Sequence, residues 1–385
     1  MLARVQISNI NAIDYCDVTF QKAKYKYLDN MIYQDKLVNP IAFYGSNGSG
    51  KSSFLQSILD VLRLMIFEPQ KLLPFSANRF SVTRQIRDFT TTAQRALTRT
   101  EIDQKFDSVI SFVKLFFEIN ADSYEYYIET SLRGCITKEY LSVNEQLIFV
   151  RNCDLYSYNQ KEIKIAESLY PTLRKLATDN QEAEYITAAF SFLSGMGYID
   201  AEKHSYYFKD AIERDYRDIM VEKSSMVKDI LSRYQEFPSY NFVSKLNDDG
   251  KKVYRFELEA DDGSLSMPYQ LMSGGMFNQS VMLSVLLSLP ENGVLFVDEI
   301  EDALHPITIL DCIKVAQEKN IQLIFSSHNT YLLQKLRPDQ IIFANWKNGY
   351  SSYKKLSDIY PNIREINNIE KMYFSNMFDE DIKNG

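Results

Sequence analysis

The period of the apolar residues changes along this chain, and the changes divide it into strand-rich and helix-rich stretches. Residues 2–8 and 16–20 alternate apolar and polar positions, which predicts two strands joined by Asn9-Ile10-Asn11-Ala12. Pro40-Ile41-Ala42-Phe43-Tyr44 is an unbroken apolar run, the pattern of a fully buried strand, and 52–67 carries helical spacing that stops at Pro69. Residues 70–105 are polar, irregular and rich in Thr. A β-meander is predicted after them, over 108–119, 124–132 and 138–144, with Asn120-Ala121-Asp122 and Arg133-Gly134 as turns.

From about 155 to 235 the spacing becomes helical, with Ile212, Tyr216, Ile219, Met226, Ile230 and Tyr234 on one face. Over 201–233 seven basic side chains mix with seven acidic ones, the pattern of a solvated helical face or of a short arm that carries a partner. Residues 241–260 return to strands around the turn Asn247-Asp248-Asp249-Gly250. Then a helix over 276–289, a strand over 293–297, a helix over 306–319, a strand over 321–326, a helix over 330–336 and a strand over 340–344 alternate. Such alternation predicts parallel strands whose carboxyl ends share one edge. The expected organisation is three parts: 1–150, a helical insertion over 151–240, and 241–385.

Glycine sharpens this outline. The chain has only 13, and five of them are Gly45, Gly48, Gly50, Gly274 and Gly275. The first three lie in GSNGSGKSS, from Gly45 to Ser53, between the apolar run and the helix. This is a P-loop, G-x-x-x-x-G-K-[ST], in the strand–loop–helix context the motif requires. Glycines let successive backbone N–H groups face one point, and the helix N-terminus adds partial positive charge there. Asn47, Gly48, Ser49, Gly50, Lys51, Ser52 and Ser53 form the nucleotide-binding set, with Lys51 reaching the β/γ-phosphates and the Ser52 hydroxyl holding Mg²⁺.

A second constellation is Val294-Leu295-Phe296-Val297-Asp298-Glu299, four apolar residues followed by two acids. In this Walker B pattern Asp298 leaves the strand where it can support Mg²⁺, and Glu299 is placed to activate the attacking water. His328 follows Leu323-Ile324-Phe325-Ser326-Ser327, so it too stands at a strand end, where it can donate to a γ-phosphate. His305, in Leu304-His305-Pro306, reads equally as a structural or an interfacial residue. Met272-Ser273-Gly274-Gly275-Met276 opens a helix, with Ser273 as its N-cap and the glycines leaving room for a phosphate.

Composition chiefly excludes. The 385 residues suffice for a large core and two lobes. A formal charge of -8 argues against a surface that clings throughout to nucleic acid, although 79–105 holds six basic side chains against three acidic ones. Cys16, Cys135, Cys153 and Cys312 form no C-x-x-C pair, which fits a reducing cytoplasm. No signal peptide opens the sequence, and the longest apolar stretch, about 281–289, is too short to span a bilayer, so no membrane role is expected.

Together these residues resemble the ABC-type ATPase head shared by SMC and recombination proteins and by the OLD-like AAA-type ATPases of bacterial antiphage defence. GSNGSGKSS, the Ser-Gly-Gly position, FVDEIEDALHP and FSSHN stand in that family's order. The resemblance covers nearly the whole chain outside the helical middle. It implies an α/β P-loop NTPase fold of ABC/SMC-head type, a mixed β-sheet with an antiparallel meander and a helical insertion. It implies ATP and Mg²⁺ as cofactors, Lys51 and Ser52 on phosphate and metal, Asp298 on the metal, Glu299 as catalytic carboxylate and His328 as the switch histidine. Ser273, Gly274 and Gly275 would meet the γ-phosphate of ATP held by a second subunit, so ATP would join a homodimer or a higher homo-oligomer.

The chain also departs from the family pattern. Its signature reads MSGGM instead of LSGGQ or LSGGE, and Gln85, Gln94 and Gln104 all remain candidates for the glutamine loop. The insert is too short for a long coiled coil, and no TOPRIM acid cluster follows the ATPase. The expected function is therefore a cytoplasmic ATPase that controls a separately encoded nuclease or toxin in antiphage defence. The alternative is a DNA-repair or DNA-end-binding SMC-like ATPase, for which the basic stretch 79–105 is the motivation and nucleic acid the partner. A transporter subunit or a small-molecule kinase would leave the signature and His328 unexplained.

Overall fold

The structure, a computed structural model, describes residues 1–25, 27–33, 35–67, 110–131, 135–165, 170–179, 183–234, 240–260, 263–347, 349–364 and 367–375. Its contacts group into two units, Met1–Ser194 with Thr330–Gly385, and Gly195–Asn329. The expected parts 1–150, 151–240 and 241–385 differ from this grouping. Residue 150 falls inside a strand, and 330 onward rejoins the start of the chain. The basic stretch 79–105 and the three glutamines Gln85, Gln94 and Gln104 lie outside the described residues.

The first unit opens with β1 (Leu2–Ile10) and β2 (Ile13–Thr19), an antiparallel pair whose turn is Asn11-Ala12. Short β3 (Ile32–Tyr33) and β4 (Leu37–Val38) precede β5 (Ile41–Tyr44), which is buried at every position as its apolar run requires. Helix α1 spans Lys51–Ile66. The meander follows as β6 (Ile110–Ile119), β7 (Asp122–Ser131), β8 (Ile136–Val143) and β9 (Gln146–Asn152), then β10 (Leu155–Tyr158) and β11 (Lys161–Lys164). With β1 and β2 these make an eight-stranded antiparallel sheet, ordered β11-β10-β9-β8-β7-β6-β1-β2. Its alternating residues Val5, Ile7, Val113, Leu115, Phe117, Tyr126, Ile128 and Leu141 are buried, and α1, whose Phe54, Leu55, Ile58 and Leu62 are buried, packs on β1 and β6. Helices α2 (Thr172–Asp179) and α3 (Glu184–Ser194) complete this stretch, and Phe117 stacks on Phe192 at 4.6 Å.

The second unit is mixed in the same way. Strands β12 (Gly197–Asp200) and β13 (Ser205–Tyr207) precede helices α4 (Lys209–Glu213) and α5 (Tyr216–Tyr234). A three-stranded antiparallel sheet follows, β14 (Tyr240–Leu246), β15 (Lys252–Ala260) and β16 (Gly263–Pro268). Next come α6 (Gly274–Ser288), β17 (Val294–Asp298), α7 (Ile300–Ala303), α8 (Pro306–Glu318) and β18 (Gln322–Ser326). Strands β12, β17 and β18 run parallel, so Asp200, Asp298 and Ser326 all come to carboxyl ends on one edge.

The chain then re-enters the first unit through β19 (Ile341–Lys347) and β20 (Tyr350–Lys355), with α9 (Leu356–Ile359) and α10 (Ile369–Phe374) after them. Strand β19 pairs parallel with β5 and antiparallel with β20. The helix expected over 330–336 is a 3-10 helix, Thr330–Lys335. Pro338 explains its brevity, because the residue before a proline is pushed out of helical geometry, and Arg337 is extended at φ -76°, ψ 151°.

The stretch 155–235 is not uniformly helical, which corrects the expected helical insertion. Strands β10 to β13 lie within it, too short at four or three residues to show a period of their own. Its first helix is tied to the sheet by a buried carboxylate. Glu139, fully buried on β8, accepts from the backbone N–H of Thr172 at 2.6 Å and of Leu173 at 3.0 Å, and from the Tyr126 hydroxyl at 2.9 Å. Buried Arg151 places its guanidinium 4.0 Å away and donates to the carbonyls of Cys153 and Tyr170. Removing one partner from such a buried pair costs about 3 kcal/mol or more. Glu139→Ala is therefore expected to lower the unfolding free energy by that amount, read as a fall in the denaturant midpoint, with Glu139→Gln losing less. An unchanged midpoint in Glu139→Ala would remove this carboxylate from the fold's stabilising contacts.

Candidate nucleotide-binding site

The loop from Gly45 to Gly50 is shaped by positions that tolerate no side chain. Gly50 sits at φ 102°, and a Cβ there would lie 2.0 Å from Ser351 Oγ and 2.9 Å from Tyr353 Oη. A Cβ at Gly45 would lie 2.2 Å from the Ala344 carbonyl oxygen. Both clashes come from β19 and β20, so this hairpin presses the loop against α1. Tyr353 Oη donates to the Gly50 carbonyl at 2.7 Å, and burial pushes its phenol well above the ordinary value, which keeps it a donor. The ring packs on Phe54 and Phe43 at centroid distances of 5.4 and 6.2 Å.

Gly50 is also the N-cap of α1, and helix geometry starts at Lys51. Lys51 is buried, and its ammonium donates to the carbonyls of Gly45 at 3.0 Å and Ser46 at 3.3 Å. Ser46, Asn47 and Gly48 form the exposed crest, while Ser52 and Ser53 are half-buried. The Ser49 hydroxyl is fully buried and has no hydrogen-bond partner among the described residues. A helix N-terminus, a lysine ammonium and an unsatisfied hydroxyl around one glycine loop are chemistry for a polyphosphate.

The acids lie in the second unit. Asp298 ends β17, and its carboxylate is buried. Ser326 Oγ, at the end of β18, donates to Asp298 Oδ1 at 2.6 Å and accepts from the Glu299 backbone N–H at 2.8 Å. Tyr198 Oη lies 3.5 Å from the other carboxylate oxygen. One hydroxyl thus fixes both acids. Glu299 adopts a left-handed conformation, φ 53° and ψ 58°, rare for a side chain of this size and concentrated at functional sites. Burial first, then the charges of Asp298, Asp302 and Glu202, raises its carboxyl above the usual range. A carboxylate of raised pKa is a better proton acceptor than an ordinary one.

His328 is exposed just past β18, and its backbone N–H donates to Glu301 Oε1. The other Glu301 oxygen is buried without a partner among the described residues. Asp200 reaches the same edge beside Asp298 but is bound to Lys203 through its side chain at 2.7 Å. His305 caps α8 through Nδ1, which accepts from the Ile307 N–H at 3.5 Å. Ser273 is the N-cap of α6 and accepts from the Met276 N–H at 3.4 Å. Gly274 and Gly275 are exposed, and a Cβ on either would meet nothing within 4 Å.

The structure therefore brings Asn47, Gly48, Ser49, Gly50, Lys51, Ser52 and Ser53 together in the first unit, and gathers Asp298, Glu299 and His328 at one edge of the second, where Ser273, Gly274 and Gly275 also open α6. Sequence reasoning missed Tyr353, Ser326, Tyr198 and Glu301. Only Ser326 left a trace, as the serine two residues before His328. Among the described residues no three or more His, Cys, Asp or Glu groups are placed to hold a metal. Taken each in its own unit, the Ser52 hydroxyl and the Asp298 carboxylate are oxygen donors of the kind Mg²⁺ takes, one or two from protein with the rest from phosphate and water.

Residues 159–334 match the family described as "AAA domain, putative AbiEii toxin, Type IV TA system". That span is under half of the chain and includes Ser273, Asp298, Glu299 and His328 but not the P-loop. The fold is α/β with mixed and antiparallel sheets, and a glycine loop joins β5 to α1. Among solved structures the chain is similar to an Smc head bound to the C-winged helix domain of ScpA, at 14% identity and TM-score 0.49, over 93% of this chain and 99% of that one. It is also similar to the SMC head domain from Thermotoga maritima, at 12% identity and TM-score 0.44, over 92% and 98%. The Smc head domain from Pyrococcus furiosus gives 12% identity and TM-score 0.42, over 93% and 97%. No curated protein matches the chain.

The two glycine groups should respond differently to a methyl group. Gly50→Ala meets both a strained φ and a 2.0 Å contact, and is expected to destabilise the protein by about 2 kcal/mol or more. Gly274→Ala and Gly275→Ala meet neither, so each should stay within about 1 kcal/mol of the parent, on the stable side. Thermal unfolding of the three variants checks this. A loss at Gly274 equal to that at Gly50 would mean the fold itself requires glycine there.

Proposed function

We propose that this chain binds ATP with Mg²⁺, hydrolyses it, and uses the cycle to join and release copies of itself. The observation that carries the reading is the unequal treatment of two adjacent carboxylates. Asp298 is buried and accepts from the Ser326 hydroxyl, which fixes it as an oxygen ligand, whereas Glu299 is half-buried, held left-handed and raised in pKa, suited to taking a proton. Mg²⁺, when bound, would supply charge neutralisation at the β- and γ-phosphates. Lys51 and the N–H groups of Asn47–Ser53 would bind the phosphates, Ser52 and Asp298 would hold the ion, Glu299 would orient and deprotonate water, and His328 would donate to the γ-phosphate.

Ser273, Gly274 and Gly275 support the oligomeric part. They form an exposed helix N-terminus with space for a close approach that this chain does not itself use. A γ-phosphate held by a second copy fits that space and is present only before hydrolysis. The partner is thus a second copy, as a homodimer or a higher homo-oligomer. We read the cycle as control of a separately encoded toxin or nuclease in antiphage defence, supported by the toxin–antitoxin description of the matched family. The working compartment is the cytoplasm, a reading supported by four unpaired cysteines. Among the described residues no helix is long and apolar enough to cross a membrane. The DNA-end-binding alternative rests on 79–105, outside the described residues.

Glu299→Gln should slow hydrolysis on the order of 100-fold while ATP still binds, so that light scattering finds a dimer that persists with ATP. Lys51→Ala should bind no nucleotide and remain unchanged in mass. Hydrolysis at the parental rate in Glu299→Gln would overturn the assignment of the base. For the defence role, a phage challenge should show protection only when the neighbouring effector gene is present. Full protection by this chain alone would refute the partner.

A further inference from the structure

Trp346 is the single tryptophan of the chain and belongs to none of the residue sets above. It lies near the end of β19, 39% exposed. On that strand Ile342, Ala344 and Trp346 share one face, because side chains alternate. The register pairs Ala344 with Tyr353 and Trp346 with Ser351, so these two β20 residues share the face as well.

This face is the one turned to the phosphate loop. Tyr353 reaches the Gly50 carbonyl, and Ser351 Oγ stands 2.0 Å from where a Gly50 Cβ would be. The indole is the next side chain along it, past the carboxyl end of the parallel β5–β19 pair, where open α/β sheets bind ligands. Directly opposed side chains in an antiparallel pair start about 5 Å apart at Cβ. Trp346 therefore begins about one residue's width beyond the contact at Gly50. The β1–β2 turn is fastened at the same place, with the Ala12 carbonyl accepting from the Ser351 N–H at 2.8 Å. A flat aromatic side chain, 39% exposed and one step from a polyphosphate loop, matches the flat aromatic part of a nucleotide.

We propose that Trp346 is the stacking platform for the nucleobase of a nucleoside triphosphate whose phosphates lie on the Gly45–Ser52 loop. The inference rests on the P-loop reading and adds the base to it. Stacking on an aromatic side chain accepts any base, since every base has a π-face, so this platform separates nucleotides from bare polyphosphate and does not choose among bases.

Calorimetric titration of the full chain with ATP and with tripolyphosphate, alongside the fluorescence of its sole tryptophan, tests this. ATP should quench the emission and tripolyphosphate should not. Trp346→Ala should bind ATP roughly tenfold more weakly or worse, with tripolyphosphate affinity and melting temperature unchanged, and Trp346→Phe should recover most of the loss. If Lys51→Ala abolishes ATP binding while Trp346→Ala binds as tightly as the parent, the platform is overturned and the phosphate loop stands. If Lys51→Ala leaves ATP affinity untouched, both readings fall together.

Discussion

At Gly50 the phosphate loop, the start of α1 and strand β20 meet with no room for a Cβ. The contact governs the first unit's chemistry in sequence. Because β20 presses there, the loop must turn with φ 102°, which only glycine adopts freely. That turn ends the loop and starts a helix, so the first amides of α1 point outward as unsatisfied donors. Tyr353 then holds the Gly50 carbonyl, and the Lys51 ammonium settles on the carbonyls of Gly45 and Ser46. An alanine at 50 would displace the hairpin, the helix start and the lysine together.

The second unit solves a different problem, the placing of two like charges side by side. Neighbouring carboxylates repel and are costly to bury. Ser326 meets the cost with one hydroxyl, donating to the Asp298 carboxylate while accepting the Glu299 amide. The left-handed backbone at Glu299 turns its side chain away from the strand at a price of about 1–3 kcal/mol. The amide bond to Ser326 offsets part of that strain. The result is two neighbouring carboxylates in different surroundings, Asp298 buried on a hydroxyl and Glu299 half-buried with its pKa raised, which a simple strand end would not produce.

The strands and helices that build this arrangement were legible where their period was long enough to measure. Strands β1, β5 to β8, β14, β15, β17 and β18, with helices α1, α6 and α8, fall within a few residues of the positions their spacing predicts. What escaped was short or non-local. Strands β10 to β13 have three or four residues each, and β16 and β20 carry mixed polar sequences that alternate weakly. Site residues divide in the same way. Lys51, Asp298 and His328 stand in local motifs, readable from their neighbours alone. Tyr353 acts on a carbonyl 303 residues away, and nothing in Tyr350-Ser351-Ser352-Tyr353 marks it. Arg337 is similar, fully buried with its guanidinium paired to Asp339 at 2.9 Å on two oxygens, a pairing invisible without the fold.

Glycine at the two sites answers different needs, and the difference bears on whether one chain suffices. At Gly45 and Gly50 the chain's own atoms exclude a side chain, so the residue type is explained inside the molecule. At Gly274 and Gly275 nothing among the described residues excludes one, and the backbone there is not left-handed. Glycine in a helical turn costs about 1 kcal/mol relative to alanine, and two in succession at the first positions of α6 cost more. A fold gains nothing from that expense. None of the described residues supplies a need for glycine at 274 and 275, which agrees with the proposed close approach of a second body to that backbone. An anion is the body that an exposed helix N-terminus attracts. This supports reading α6 as half of a site that a second copy completes.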